Sequence, residues 1–181
     1  MEGIVTILSD PYYRMVEAMQ REVAEACELH SLRSTDIPHF SWHVAESYHE
    51  QELAPILQEV CAETHPFTVK TVGLGVFMAE ESVLYIPLVA DLPLLQFHQR
   101  LWQRLEGVGE GVNPYYAPGN WVPHITLVHE GLGVSELSCA VRMLAEKSLV
   151  WEMQVDHLAV IGETGLGSGK SLLRFPFGGK L

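Results

Sequence analysis

Positive charge is what this chain has least of: 11 Lys and Arg stand against 23 Asp and Glu, a formal net charge of −12 with histidine neutral. Proteins that grip long nucleic acids neutralise phosphates with basic side chains, so this balance argues against that class. A small phosphate ester held by a few local donors remains compatible, because net charge governs solubility and association, not what one cleft can hold. Long apolar runs are also missing. None reaches the roughly 18–20 residues needed to span a bilayer, and no membrane partner is expected. The N-terminal stretch MEGIVTILSDPYY has an acid at position 2 and no basic region, so it reads as a first strand and not a secretion signal. A cytoplasmic location is expected. Cysteine is scarce as well: Cys27, Cys61 and Cys139 lie far apart with no C-x-x-C spacing. Each falls on a predicted helix beside apolar residues, which predicts buried free thiols in a reducing compartment.

What is present is an ordinary folding composition, 48% hydrophobic and 19% charged over 181 residues, suited to one domain or two small lobes sharing a core. Apolar Gly3–Leu8 predicts a strand. Asp10-Pro11 then offers a cap and an N1 proline to a helix carrying Val16, Met19, Val23 and Cys27. His39–Ala45 predicts a strand and Glu52–Glu63 a helix, with Pro55 confined to its first turn. Strands follow at Phe67–Phe77 and Ser82–Val89, then a helix capped by Asp91 with Leu94, Phe97, Leu101 and Leu105 on one face. After the loop GVGEGVNPYYAPGN come a strand at Val122–His129, a helix capped by Ser135, and strands at Trp151–Ile161 and Ser171–Phe177. The order β-α-β-α-β-β-α-β-α-β-β is an α+β pattern with an internal echo and no linker dividing residues 1–181.

The echo is sharpest in two segments. Residues 37–45 read IPHFSWHVA, and residues 121–130 read WVPHITLVHE. Each has an apolar residue, Pro-His, one large apolar residue and a hydroxyl. In a strand, residues i and i+2 share a face, so His39 projects with Ser41 and His124 with Thr126. Phe40, Trp42, Ile125 and Leu127 turn the other way, into a core. Two such strands on one cleft give two imidazoles and two hydroxyls around a central point. That set suits metal-free cleavage of a phosphodiester. One neutral imidazole takes a proton from the attacking oxygen, and the other, as imidazolium, protonates the leaving oxygen. The hydroxyls donate to the non-bridging phosphoryl oxygens. No cofactor is expected.

PHFSW and PHITL resemble the two H-x-[ST]-x signatures of the 2H phosphoesterase superfamily, which includes proteins named RNA 2′,3′-cyclic phosphodiesterases and 2′-5′ RNA ligases. PFTVKTVGLGVF with SVLYIPLV resembles the family's strand pair between the motifs, and YAPGNWVPHITLV its approach to the second motif. The likeness runs over roughly residues 3–177. It implies a bilobal α+β fold, two pseudo-symmetric sheet-and-helix lobes around a central cleft. It also implies that His39 and His124 are the acid–base pair and that Ser41 and Thr126 bind phosphate. The first motif carries Ser where Thr is frequent. Serine keeps the donor but loses the methyl that restricts its rotamer.

A nucleotide needs a stacking surface, and Tyr115, Tyr116 and Trp121, just before the second motif, offer one; packing within the loop is the alternative. Arg33 is placed to reach a phosphate, with plain surface solvation equally compatible. In a regular strand His43 shares the face of His39 and could line the cleft, though a structural hydrogen bond is its favoured role, whereas His129 lies opposite His124. Nine histidines invite a metal, but their spacing fits no H-E-x-x-H or C-x-x-C pattern. GETGLGSGKS, residues 162–171, looks like a phosphate-binding loop, yet Thr164 stands where that motif needs glycine and no helix is predicted after it. It reads as a hairpin turn.

The expected activity is a metal-independent phosphodiesterase acting on a 2′,3′-cyclic phosphate or a 2′,5′-linked nucleotide, with a small nucleotide or an RNA-end phosphate as partner and a monomer as the working form. An RNA 2′-5′ ligase or RNA-end processing enzyme is the alternative within enzymes. A nucleotide-binding module without turnover and a purely structural protein are the alternatives outside them.

Overall fold

The computed structural model describes residues 1–29, 37–78, 82–129, 132–162 and 173–178. The elements run β1 (Glu2–Ile7), α1 (Tyr12–Ala26), β2 (His39–Ala45), β3 (Ser47–Tyr48), α2 (Glu50–Ala62), β4 (Phe67–Lys70), β5 (Gly75–Phe77), β6 (Val83–Pro87), α3 (Leu92–Arg104), β7 (Gly109–Glu110), a 3₁₀ turn (Pro114–Tyr116), β8 (His124–His129), α4 (Val134–Leu144), β9 (Glu152–Val155), β10 (His157–Gly162) and β11 (Leu173–Pro176). Asp91 caps α3 as expected, its side chain accepting from the Leu94 amide. Two other helix starts differ. Pro11 and not Asp10 precedes α1, and α4 begins after Gly133, which puts Ser135 inside it. Pro55 lies in the interior of α2, because that helix starts earlier than its apolar spacing suggested. Two long predicted strands are each broken in two, at residues 71–74 and at Asp156.

Seven strands form one sheet in the order β11-β10-β1-β2-β8-β6-β5, and β3-β7 and β4-β9 form separate pairs. The two motif strands are therefore neighbours at the centre. They meet at one register pair, Phe40 opposite Ile125. On either side the halves repeat: β1 runs antiparallel to β2, and β6 antiparallel to β8. Both pairings shift register just after the motif hydroxyl. Ile4 faces His43 and Val5 faces Ser41, so Trp42 is an extra residue; Leu84 faces Val128 and Tyr85 faces Thr126, so Leu127 is its counterpart. A bulge of this kind reverses which face every later residue occupies.

Two sequence expectations are reversed by it. His43 pairs with Ile4 and so shares the face of Phe40, away from His39. His129 pairs with Val83, two residues from Tyr85, and so shares the face of His124 and Thr126. A regular strand predicted the opposite for both. His43 is 2% exposed, is hydrogen-bonded through Nδ1 to the Tyr48 hydroxyl (2.7 Å), the structural role favoured for it from the sequence, and lies against the Trp102 ring. On the same side, fully buried Trp42 meets Phe40, Phe97 and Trp121 and donates from Nε1 to Thr6.

The cysteine expectation is corrected. Cys27, at the C-terminus of α1, is disulfide-bonded to Cys139 of α4, and only Cys61 is free and buried. The two partners are 112 residues apart in sequence. They meet because α1 and α4 pack side by side, which spacing alone does not reveal. Burial pushes the Cys61 thiol up to about 11, which leaves it protonated and unreactive. Among the described residues no helix is long and apolar enough to cross a membrane.

Two outcomes follow from these buried groups. Protein unfolded without reductant should titrate one thiol, and three after reduction, by a chromogenic thiol assay; three at the outset would rule out the α1–α4 bridge. Burial, reinforced by nearby His98, lowers the His43 pKa to about 4. The unfolded chain then takes up this proton first, so the stability linked to His43 is intact above pH 6.5 and drains away as pH falls toward 4. The full loss is about 3 kcal/mol. Urea midpoints measured from pH 7 to pH 4 should fall less steeply in His43→Gln than in the unaltered protein.

Candidate active site

The proline in each motif sets the geometry of the histidine after it. Proline drives the preceding residue into an extended conformation and brings no amide proton of its own. The Pro38 carbonyl accepts from the Leu8 amide, and the Pro123 carbonyl from the Leu88 amide, both at 2.9 Å. The carbonyls before the prolines are left facing the imidazoles. His39 Nδ1 donates to the Ile37 carbonyl at 2.6 Å, and His124 Nδ1 to the Val122 carbonyl at 2.7 Å. A carbonyl oxygen only accepts, so Nδ1 carries the proton and each neutral ring keeps its lone pair on Nε2. The two halves present the same tautomer by the same device.

Burial repeats with equal fidelity. In both motifs the histidine and the hydroxyl residue are half-buried and the residues between and after them are buried. With Phe40 opposite Ile125, antiparallel geometry sets His39 beside Thr126 and Ser41 beside His124. The histidines then lie on a diagonal, a relation in which side-chain bases stand roughly 7–8 Å apart. That interval suits one phosphoryl group between two imidazoles, with a hydroxyl from the opposite strand next to each.

The halves differ around their histidines. Tyr85 and Phe77 stack on each other at 4.1 Å, and both rings lie about the His124 imidazole, at 5.1 and 5.0 Å between centroids. Gly75 makes room for this arrangement: a Cβ there would fall 2.5 Å from the Tyr85 ring. At the matching positions of the first half stand Val5, Ala159 and Ile161. Burial lowers the His124 pKa below its ordinary value, against the opposing effect of the Val122 carbonyl. Sequence reasoning missed Phe77 and Tyr85. The signal was the alternation in SVLYIPLV, which sets Tyr85 on one face with Val83 and Pro87, but the facing strand had to be known to connect it with His124.

The residues proposed from the loop before β8 divide. Tyr115 is exposed on the 3₁₀ turn. Tyr116 is half-buried, and burial raises the pKa of its phenol. Trp121 is buried, stacked on His98 at 3.9 Å and tilted against Trp42, and its Nε1 donates to the Ser41 carbonyl at 3.0 Å. Its ring is thus packed in the core, as the loop-packing alternative has it, and supports Ser41 from behind. Arg33 and the glycine-rich stretch 163–172 lie outside the described residues. Among the described residues no group of three or more His, Cys, Asp or Glu side chains is placed to hold a metal ion.

A strand pair of this kind, with two anchored imidazoles and two hydroxyls at the centre of an α+β sheet, defines a 2H-type phosphoesterase scaffold. Comparison with known proteins agrees: the family model of the 2′-5′ RNA ligase superfamily matches residues 12–165, and the chain belongs to that family. No curated protein matches. Among solved structures, TT0787 of Thermus thermophilus is similar over 99% of both chains with a TM-score of 0.62 at 16% identity. Usb1 of Kluyveromyces marxianus is similar over 97% of both chains with a TM-score of 0.54 at 14% identity. The same protein with uridine monophosphate gives a TM-score of 0.55 at 15% identity, over 97% of this chain and 98% of that one. At these identities the likeness is one of fold.

The aromatic surroundings of His124 lead to a direct measurement. Its imidazole should titrate below 6.5 by NMR, and Phe77→Ala, which admits water to one side of the ring, should move the midpoint upward. An unchanged midpoint would mean that the aromatic pair does not desolvate His124.

Proposed function

We propose that the protein is a metal-independent phosphodiesterase that hydrolyses a 2′,3′-cyclic phosphate, or a 2′,5′-linked nucleotide, between His39 and His124. The observation that carries this reading is the pair of Nδ1-anchored imidazoles, each set beside the other strand's hydroxyl. With its pKa lowered, His124 is neutral near pH 7 and acts as base: Nε2 takes a proton from water as the water oxygen bonds to phosphorus. His39, entering as imidazolium, gives its proton from Nε2 to the ribose oxygen as the phosphorus–oxygen bond breaks. Ser41 and Thr126 donate to the non-bridging oxygens, where charge builds up. Exchange of one proton with solvent at each ring restores the starting forms.

Membership in a family named for RNA ligation favours a second reading, in which the phosphate belongs to an RNA end. The same four groups run the reverse reaction by microscopic reversibility. Water at high concentration favours hydrolysis, and the charge of −12 favours a small nucleotide over a long strand. Uridine monophosphate with the Usb1 structure supports a mononucleotide as the unit recognised.

Purified protein in EDTA should turn over at least one of the four nucleoside 2′,3′-cyclic monophosphates or a short 2′,5′-linked oligoadenylate. His39→Ala and His124→Ala should each lower kcat/KM by about 10²–10⁴-fold, and the unaltered enzyme should show a bell-shaped pH profile with both limbs within about two units of 6.5. Turnover that needs a metal, survives both substitutions or is flat from pH 5 to 9 would overturn the mechanism.

A further inference from the structure

The two motif strands touch at one register pair, and the residue after each member of that pair carries the hydroxyl: Ser41 follows Phe40, and Thr126 follows Ile125. Each hydroxyl residue is also the last before a bulge, so its backbone sits where the pairing to the outer neighbour, β1 or β6, changes step. A bulge bends the strand and disrupts the ladder locally. A side chain is only as well aimed as the backbone that carries it, and a misplacement of about 1 Å at a reacting group costs a large part of the rate.

Both halves secure this point in the same way. The Ser41 carbonyl accepts from Trp121 Nε1 at 3.0 Å, and the Thr126 carbonyl accepts from Gln20 Nε2 at 3.4 Å. The two donors come from unrelated places. Trp121 lies in the chain just before β8, its indole stacked on His98 at 3.9 Å and tilted against Trp42. Gln20 is on α1, only 6% exposed, among the residues Val16, Met19 and Val23 that the helix buries. A glutamine at such a position is costly unless its amide is bonded, and the Thr126 carbonyl bonds it. α1 itself packs on β8 and α4, and the Cys27–Cys139 bridge, about two turns beyond Gln20, ties it to α4.

We propose that Trp121 and Gln20 are positioning residues, each holding through a carbonyl the backbone that aims one phosphate-binding hydroxyl: Trp121 for Ser41, Gln20 for Thr126. The proposal rests on the reading of this face as a phosphoester site. Each donor bonds a backbone carbonyl, so it acts through the hydroxyl residue and leaves the hydroxyl proton to the phosphoryl oxygen. The Trp121 bond is the shorter and therefore the stronger of the two. It serves the residue that needs it more, because Ser41 lacks the methyl that restricts the Thr126 rotamer.

Sulfur in place of one non-bridging oxygen tells the two hydroxyls apart, because sulfur accepts hydrogen bonds only weakly. The Rp and Sp forms of a nucleoside 2′,3′-cyclic phosphorothioate turn that sulfur toward one hydroxyl or the other. Ser41→Ala and Thr126→Ala assign which, since each should abolish the sulfur penalty in one form only. Replacing the Trp121 indole by benzothiophene keeps the ring shape and removes the N–H. It should lower kcat about fivefold and shrink the penalty only in the form with sulfur toward Ser41. Gln20→Met should lower kcat about twofold and shrink the penalty only in the other form. Shrinkage in both forms alike, as a generally loosened sheet gives, overturns the proposal, as does an unchanged pattern. Near-ultraviolet circular dichroism verifies that each variant is folded. If the unaltered protein turns over neither the oxygen nor the sulfur substrates, the hydrolase reading falls and calorimetric binding of uridine monophosphate decides the positioning role. The Trp121 replacement should then weaken binding about fivefold, and less than about twofold in the Ser41→Ala background, because it acts through Ser41. Equal weakening in both backgrounds overturns the positioning role. Neither binding nor turnover removes both.

Discussion

The motif face depends on a single backbone register, Phe40 opposite Ile125, where the central strands of two repeated halves touch. That pair sets each histidine beside the hydroxyl of the other strand. A slip of either strand by one residue would send its histidine and hydroxyl to the core face, since alternate strand residues point in opposite directions. The large apolar residues between the polar ones prevent the slip. Phe40, Trp42, Ile125 and Leu127 are all buried, and exposing any of them would cost about 1.5–3 kcal/mol of transfer free energy. The geometry of the candidate site is therefore held in place by the packing of the residues that face away from it.

A second constraint is the bulge that follows each hydroxyl. It ends the alternation that begins at the histidine and lets the strand return its next residues to the core. In the first half this buries His43 with Tyr48 and Trp102; in the second it buries Val128 and returns His129 to the motif face. The same backbone device in both halves, combined with different residues after it, yields two different histidine environments. Asymmetry around the imidazoles has a similar origin. Tyr85 and Phe77 crowd His124, whereas aliphatic and small residues hold the equivalent places in the half that carries His39. Under the proposed mechanism, this unequal lining suits one imidazole to accept a proton while the other gives one.

Much of the site was legible in the chain because its signal is local. Pro-His-apolar-hydroxyl, written twice, already states which side chains share a face and which enter the core. Trp121 was harder to place. An aromatic residue next to a candidate site reads equally well as a stacking surface or as packing, and the choice depends on His98 and Trp42, which come from other elements. The faces expected of His43 and His129 were reversed, although His43 does make the structural hydrogen bond favoured for it, because a bulge is defined by the partner strand and a single strand's pattern contains no partner. The thiol expectation turned over for a related reason: whether two cysteines meet is decided by how α1 packs on α4.

By itself the sequence determined the α+β class, the duplicated motif, and the tautomer-setting proline before each histidine, because each depends on neighbours within a few residues. Tertiary structure alone decided that the two motifs lie side by side in one sheet and that aromatic rings from β5 and β6 close around the His124 imidazole. Those contacts join residues up to 85 positions apart in the chain. Their geometry is fixed by strand register and helix packing, which no local pattern specifies.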